Sequence, residues 1–241
     1  MTRNLRIALT ILSVGFALEG VGELYSRIVT GSVVPGGNLL FILPEAIALI
    51  GLIFVWVGRD EWNDVHRVRA HTASRVFFLS LLGGFVAAGV LALLVWQPSL
   101  GVPLWAEVLF GAAVASLVFG TFVTYAYLVY HLVSPLARVA VFASLVWAFL
   151  VSAFAAVILG QNLGTVLSLI QARTVEIPKF VAPVDFLISY LFLSYFLLLA
   201  AYVDAHVAVA RGLVIVPNQP GVPVTRIAAP QRPVEPPQPP H

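Results

Sequence analysis

Two long runs of uncharged, apolar residues constrain this chain more than any other feature of its sequence. They are VFFLSLLGGFVAAGVLALLVW, beginning at Val76, and VAVFASLVWAFLVSAFAAVILG, beginning at Val139. A helix of roughly 20 apolar residues crosses the hydrocarbon core of a bilayer, which is about 30 Å thick. The whole chain is 60 % apolar and only 10 % charged, against about 45–50 % and about 25 % in soluble domains. The sequence therefore predicts a membrane protein and excludes a water-soluble globule.

Six stretches are long and apolar enough to cross a membrane, so the predicted fold is an all-α integral membrane protein, a bundle of about six transmembrane helices. The first span is the weakest, because Glu19 and Glu23 interrupt its apolar run. Together the spans form one polytopic domain, residues 1–212. The predicted spans cover residues 7–26, 39–57, 76–97, 104–131, 136–159 and 184–206.

The basic residues predict the orientation of the chain in the membrane. If the N-terminus is cytoplasmic, the cytoplasmic segments hold all but three of the 13 Lys and Arg residues. The three in the outer loops are Arg27, Arg173 and Lys179. Cytoplasmic loops of membrane proteins carry an excess of Lys and Arg. We therefore expect a multi-pass protein of the cell membrane with both termini in the cytoplasm.

Three segments lie outside the predicted spans. Residues 58–75 form a charged cytoplasmic connector that is expected to be partly helical. In residues 161–172, polar and apolar side chains alternate at helical spacing, which is typical of a short helix lying on the outer membrane surface. Residues 217–241 include nine prolines and little to bury, so we expect a disordered, proline-rich cytoplasmic tail that is available to a partner.

Acidic residues inside the predicted spans are the most specific candidates for function, because charged groups in the membrane are costly and usually functional. All of them are predicted to lie near the outer boundary, where they could bind a cation or relay protons. The structural alternative is that the basic residues of the outer loops pair with them and fasten the outer helix ends. The candidate site consists of Glu19, Glu23, Glu45 and Glu107, and its possible ion-pair partners are Arg27, Arg173 and Lys179.

Small residues recur at every fourth position of the fifth span. Lipid provides no hydrophobic force between helices, so close packing of small side chains drives their association. We expect this stripe to pack inside the bundle, and the alternative is that it binds another subunit or a second copy of the chain. The stripe consists of Ala140, Ser144, Ala148, Ser152, Ala156 and Gly160.

The histidines do not indicate a metal or haem site. His66 and His71 are five residues apart, about 140° around a helix, which makes joint ligation awkward. Each histidine is expected to be interfacial or solvated. The sequence contains no cysteine and no motif for a nucleophile, phosphate or dinucleotide, so no cofactor, metal or catalytic residue is predicted. A net charge of +2 with scattered basic residues argues against nucleic-acid binding.

Three classes of function remain open. The first is a non-enzymatic subunit or scaffold of a membrane complex, favoured by the small-residue stripe and the tail. The second is a small channel or a proton- or cation-coupled transporter that uses the outer carboxylates. The third is an accessory subunit of a respiratory or other membrane enzyme whose cofactors lie in other chains. The bilayer itself is the one partner that all three share.

Overall fold

Seven α-helices and one short β-ladder account for the secondary structure that the computed structural model describes, which is given for residues 3–25, 38–61, 64–172, 190–215 and 226–228. A single 3₁₀ turn, Pro98–Leu100, precedes the fourth helix. The helices are α1 (Arg3–Tyr25), α2 (Asn38–Val57), α3 (Asp64–Trp96), α4 (Leu104–Val129), α5 (Pro135–Gln161), α6 (Leu163–Ala172) and α7 (Leu191–Ala210).

Five of the described helices are each long and apolar enough to cross a membrane: α1, α3, α4, α5 and α7. The prediction of an all-helical chain with several such helices is confirmed. The count differs at the second predicted span. Helix α2 has 20 residues, but its apolar part among the fully described residues, Ala46–Val57, is shorter than a crossing requires.

The predicted connector is mostly the beginning of α3. This helix has 33 residues, so it is about 50 Å long and exceeds the roughly 30 Å of a hydrocarbon core. Its first three turns hold Arg67, Arg69 and Arg75, and the uncharged run follows them. The connector is therefore a charged, helical extension of the third span.

The helices pack as two overlapping groups. Helix α1 lies between α2 and α7, α4 lies between α3 and α5, and α5 and α7 join the groups. The larger apolar core is centred on the fully buried Phe16, Leu198 and Tyr202. A smaller core at the other end of α3 and α4 includes Leu94 and Phe110.

The short helix predicted at residues 161–172 is present as α6, and its two faces are as predicted. Leu163 and Leu167 are buried in the smaller core, while Thr165 and Ser168 are exposed. This amphipathic arrangement fits the surface location that the sequence indicates.

The predicted disordered tail differs from the structure at three residues. Arg226–Ala228 forms an antiparallel ladder with Leu213–Ile215, the segment that follows α7. Three consecutive pairings with the apolar Leu-Val-Ile segment, which includes two β-branched residues, are consistent with strand geometry in this proline-free part of the tail. The remainder of residues 217–241 lies outside the described residues.

Candidate functional site

The two acidic residues of α1 are buried inside the bundle. Glu19 is 5 % exposed and Glu23 is 6 % exposed. They are one helical turn apart, so they share one face of α1. From the sequence alone, these carboxylates could reach the membrane interface or water. In the structure both are buried, so neither side chain is extensively exposed to solvent.

The surroundings of Glu19 are tightly packed. A Cβ added at the neighbouring Gly20 would lie 2.9 Å from the ring of Phe196 in α7, so α1 and α7 are in close contact at this level. One turn earlier, Phe16 meets Tyr125 and Tyr202 edge-on, with ring centroids 4.9 Å and 5.0 Å away. The glutamates thus follow an aromatic cluster that fills the space between α1, α4 and α7.

That aromatic cluster is fastened by a hydrogen bond between helices. The hydroxyl of Tyr202 donates to the carbonyl oxygen of Tyr125 at 2.9 Å, and Tyr202 is fully buried. A buried tyrosine normally finds such a partner, because an unsatisfied hydroxyl is costly in an apolar interior. The cluster therefore ties α4 to α7 about one helical turn from Glu19.

Glu107 does not join the glutamates of α1. Glu19 lies three residues from Phe16, about 5 Å along its helix, whereas Glu107 lies 18 residues from Tyr125, about 27 Å along α4. Phe16 and Tyr125 are in contact, so the two carboxylates are separated by on the order of 20 Å along the bundle. The expectation that Glu107 lies at the depth of Glu19 is wrong, because α4 extends well beyond the level of the α1 glutamates.

The other predicted members of this site cannot be placed. Glu45 belongs to α2, one residue after Pro44, but its side chain lies outside the described part of the structure. Arg27, Arg173 and Lys179 also lie outside the described residues. The site that the structure supports consists of Glu19 and Glu23.

Two buried carboxylates one helical turn apart have a restricted chemistry. In such an environment an ionised carboxylate needs a counter-charge or hydrogen bonds, and otherwise it takes up a proton. The pair can therefore hold a shared proton or a cation, or it can bind a basic group.

The small-residue stripe of α5 lies mostly inside the described part of the chain. Ser144 and Ala148 are completely buried, and Ala140 alone is half-buried among its members. Ser144 donates to the carbonyl oxygen of Ser194 in α7, and Ser194 donates to that of Ser144, both at 3.1 Å. The fully or largely buried members are Ser144, Ala148, Ser152, Ala156 and Gly160.

The same stripe brings α5 into backbone contact with α4. A Cβ at Gly111 would lie 2.6 Å from the carbonyl oxygen of Ala156, and one at Gly160 would lie 2.7 Å from that of Glu107. Such distances are possible only without side chains. Because α4 and α7 occupy the stripe, a contact with another subunit through this face stays a prediction without structural support.

Sequence reasoning missed a buried histidine pair. His66, in the first turn of α3, is 1 % exposed, and its Nδ1 lies 3.0 Å from Nε2 of His131 in the turn between α4 and α5. The prediction that the histidines are interfacial or solvated is wrong for His66. The spacing between His66 and His71 describes only their positions on one helix. The pairing of His66 with His131 is a tertiary contact between residues 65 positions apart in the sequence, which that spacing does not reveal.

The surroundings of this pair keep it neutral. Burial, followed by the charges of His66, Arg69 and Arg138, lowers the pKa of His131 from 6.5 to about 2. The guanidinium groups of Arg69 and Arg138 lie over the rings of Tyr127 and Tyr130, at 4.9 Å and 5.2 Å. A proton on the pair would therefore add a third positive charge to a dry site.

Among the described residues, no group of three or more His, Asp or Glu side chains lies close enough together to hold a metal ion. No protein-family model matches the chain, and searches of curated proteins and of solved structures return no similar protein. The function must therefore be argued from the residues themselves.

Proposed function

We propose that this is a multi-pass protein of the cell membrane with both termini in the cytoplasm. The five apolar helices of sufficient length and the asymmetric distribution of Lys and Arg support this proposal. Both termini lie on one side only if the number of crossings is even, so the proposal takes the 20-residue helix α2 as a sixth crossing. In this orientation α1, α3 and α5 begin, and α4 and α7 end, at the cytoplasmic end of the bundle.

Single cysteines test this orientation cleanly, because the chain contains none. Cysteine at Ser32 or Thr174 is expected to react with an impermeant thiol reagent added outside intact cells. Cysteine at Thr72, in α3, is expected to react only after the cells are opened. The reverse pattern would place the termini outside.

Within the membrane, we propose that Glu19 and Glu23 bind a proton or a small cation, as in a small channel or a coupled carrier. The observation that carries this proposal is their burial in a helix that is apolar enough to cross the bilayer. Ionisable residues inside a membrane span are costly to bury, and they usually mark ion or proton pathways. A helix whose only role was to cross the bilayer would have apolar residues such as leucine or alanine at these two positions.

The arrangement of the pair also supports this function. Two carboxylates at successive turns of one face give a cation two sources of oxygen ligands, or a proton two sites between which it moves. Both side chains are buried, so the groups are held away from bulk water, and α1 packs closely on α7 next to Glu19, where Gly20 meets Phe196. Exchange would then require a small separation of α1 and α7.

Flux into proteoliposomes tests the proposal, with a pH-sensitive dye for protons and with Na⁺ and K⁺ as separate cations. The wild-type protein is expected to move at least one of these ions, and Glu19→Gln and Glu23→Gln are expected to lose most of that flux. Glu107→Gln is the matched control, since this half-buried acid lies on the order of 20 Å away along the bundle. Equal fluxes in wild type, Glu19→Gln and protein-free vesicles would contradict the proposal.

A second candidate function, a non-enzymatic subunit of a membrane complex, has support from a separate observation. An apolar groove of about 500 Å³ lies between α2 and α3, with Thr124 and Leu128 of α4 among its lining residues. Its walls include Ile53 and Phe78, which are 62 % and 68 % exposed. A groove of this size can accept side chains of another transmembrane helix as well as lipid.

Native mass spectrometry in mild detergent tests the subunit role. A second chain that remains bound to the wild type, and that is displaced by Ile53→Trp in the groove, would support it. If the partner carries redox cofactors, the accessory-subunit alternative is favoured. A protein that purifies alone and still moves ions would contradict the subunit role.

A further inference from the structure

A basic cleft lies between the beginning of α1 and the end of α7. It has a volume of about 490 Å³ and is lined by Arg3, Arg6, Ile7, Thr10, Ile11 and His206. Arg3, Arg6 and Thr10 follow one face of α1 at spacings of three and four residues. The imidazole Nδ1 of His206 lies 3.4 Å from the hydroxyl of Thr10, so α1 and α7 contribute to the same polar floor.

The charge of this cleft is not compensated within the described part of the chain. Arg3 and Arg6 are exposed, and no described carboxylate lies within 4 Å of either. Glu61 contacts the beginning of α1, but its two oxygens accept hydrogen bonds from the backbone amides of Asn4 and Leu5 and from the side chain of Asn4. Among the described residues, two guanidinium groups at the mouth of the cleft therefore have no carboxylate within ion-pair distance and can attract an anion.

The apolar residues beside the cleft continue away from its basic end. Ile7, Ile11 and Val14 follow one another at four- and three-residue spacing along α1, and Val14 is 47 % exposed. On α7, Val203 lies one turn from His206 and is 49 % exposed. The surface is therefore amphiphilic along its length: two arginines, then a hydroxyl and an imidazole, then exposed valines.

We propose that this cleft binds the phosphate headgroup of an anionic phospholipid of the cytoplasmic leaflet. The arginines and His206 contact the phosphodiester, and the acyl chains run along the valines of α1 and α7. In the proposed orientation, the arginines lie where anionic headgroups of the inner leaflet lie, and basic pockets between helices on that side suit such headgroups. A soluble phosphate shares the headgroup chemistry but would not use the valine surface.

This inference rests on the proposed membrane orientation and is independent of Glu19 and Glu23. The two proposals can fail separately, because a Glu19→Gln protein is expected to bind lipid like the wild type. The labelling of single cysteines tests the orientation without reference to either site.

Native mass spectrometry of the full chain with added phosphatidylglycerol tests the lipid site. The wild type is expected to retain phosphatidylglycerol in preference to phosphatidylcholine. The double variant Arg3→Gln/Arg6→Gln is expected to bind it on the order of 30-fold more weakly, since each basic residue near the headgroups contributes about fivefold. Arg75→Gln is the matched control, an exposed arginine of α3 outside the cleft.

Three outcomes would overturn the proposal. They are equal retention of the two lipids, unchanged retention in the double variant, and equal loss in the Arg75→Gln control. Glycerol phosphate, which has the headgroup charge without acyl chains, separates the two sources. If it competes as well as phosphatidylglycerol, the cleft is a site for soluble anions and not for lipid. The helical circular dichroism of each variant, whose changed residues are exposed, verifies folding.

Discussion

The two ends of the bundle are held together by different interactions. At the end where α1 begins, carboxylates accept hydrogen bonds from backbone amides: Glu61 binds the first turn of α1, and Asp204 accepts from the amide of Ser134 at 2.7 Å. At the opposite end, Gly111 and Gly160 bring the backbones of α4 and α5 into direct contact. The end where α1 begins thus combines carboxylate hydrogen bonds with a close contact at Gly58, where an added Cβ would lie 2.8 Å from the backbone nitrogen of Leu5. The glycine contact between α4 and α5, in contrast, involves backbone packing without a carboxylate hydrogen bond among the described residues.

This difference matches the expected surroundings of each end. Hydrogen bonds to a carboxylate suit an end rich in arginine and near water, where the helix N-terminus also attracts negative charge. Close packing at glycine suits apolar helix surfaces in lipid. There the hydrophobic effect does not drive helices together, so their association depends on van der Waals contact between closely spaced backbones. We therefore expect changes at the glycine contact to depend on side-chain volume, and changes at the opposite end to depend on charge.

The largest effect is expected at the glycine contact. In Gly111→Leu, the new Cβ would lie 2.6 Å from a backbone oxygen of α5, so the helices must separate. We expect a loss of about 2–3 kcal/mol in the free energy of unfolding. Thermal unfolding in detergent measures it.

Gly89→Leu is the matched control for this prediction. It lies on α3 with no atom within 4 Å of an added Cβ, and leucine has a higher helix propensity than glycine. We expect the control to be neutral or stabilising. If Gly111→Leu and Gly89→Leu lose the same stability, the loss is a general effect of replacing glycine by leucine in these helices. It would then not come from the contact between Gly111 and α5.

A smaller effect is expected at the carboxylate that binds the beginning of α1. Glu61→Ala removes the hydrogen bonds to Asn4 and Leu5, so we expect a loss of about 0.5–2 kcal/mol, as for other helix N-terminal caps. Asp60→Ala is the control, because the side chain of Asp60 is 58 % exposed and contacts only Arg59 among the described residues. Chemical denaturation of both variants compares them. Equal stabilities would show that the hydrogen bonds of Glu61 do not stabilise α1.

The histidine pair predicts a dependence of stability on pH. Burial lowers the pKa of His131 in the folded chain to about 2, below its value of about 6.5 in the unfolded chain. As the pH falls below 6.5, the unfolded chain takes up a proton that the folded chain rejects, so stability falls. The loss reaches at most about 1.4 kcal/mol per pH unit for this residue.

The variant His131→Gln isolates this contribution. Its melting temperature is expected to fall less than that of the wild type between pH 7.5 and pH 5.5, because it lacks the group that is protonated on unfolding. His206→Gln, which changes a half-buried histidine in the basic cleft, is expected to follow the wild type. A parallel decline in wild type and His131→Gln would contradict the prediction.

The smallest effect is expected from the reciprocal serine bonds between α5 and α7. Ser144→Ala removes one hydrogen bond of 3.1 Å, and hydrogen bonds between membrane helices contribute about 0.6 kcal/mol on average. The double variant with Ser194→Ala is expected to lose about twice that. Ser168→Ala, an exposed residue of α6, is the control. A double variant as stable as this control would show that the pair is not stabilising.

Small residues at four-residue spacing coincide with a buried face in α5 and only partly in α3. In α5, six small residues at strict spacing define a single face, and five of them are buried. In α3, the shorter stripe of Gly84, Ala88 and Ala92 would have suggested a similar contact, yet Ala88 and Ala92 are exposed. The contact with α4 uses Gly83, whose Cβ would lie 2.8 Å from the carbonyl oxygen of Ala113, together with Gly84, whose Cβ would lie 3.3 Å from the side chain of Leu117. Small residues alone do not identify the partner-facing side of a helix.

Depth and tertiary pairing could not be read from the sequence. The position of each acid within its own span was known, but the offset of α4 relative to α1 was not, and that offset separates Glu107 from Glu19. The histidine pair likewise depends on how the turn at His131 meets the first turn of α3. Both are set by packing between helices, which no single helix encodes.

The proposed protonation or cation binding of the α1 glutamates can be measured directly by infrared difference spectroscopy of the full chain in vesicles. Changing pH, or adding Na⁺ or K⁺, is expected to alter a carboxyl band of Glu19 or Glu23. This band is expected to be lost in Glu19→Gln or Glu23→Gln and retained in Glu107→Gln. Identical difference spectra for the wild type and both α1 variants would contradict the central claim that these buried carboxylates bind a proton or a cation.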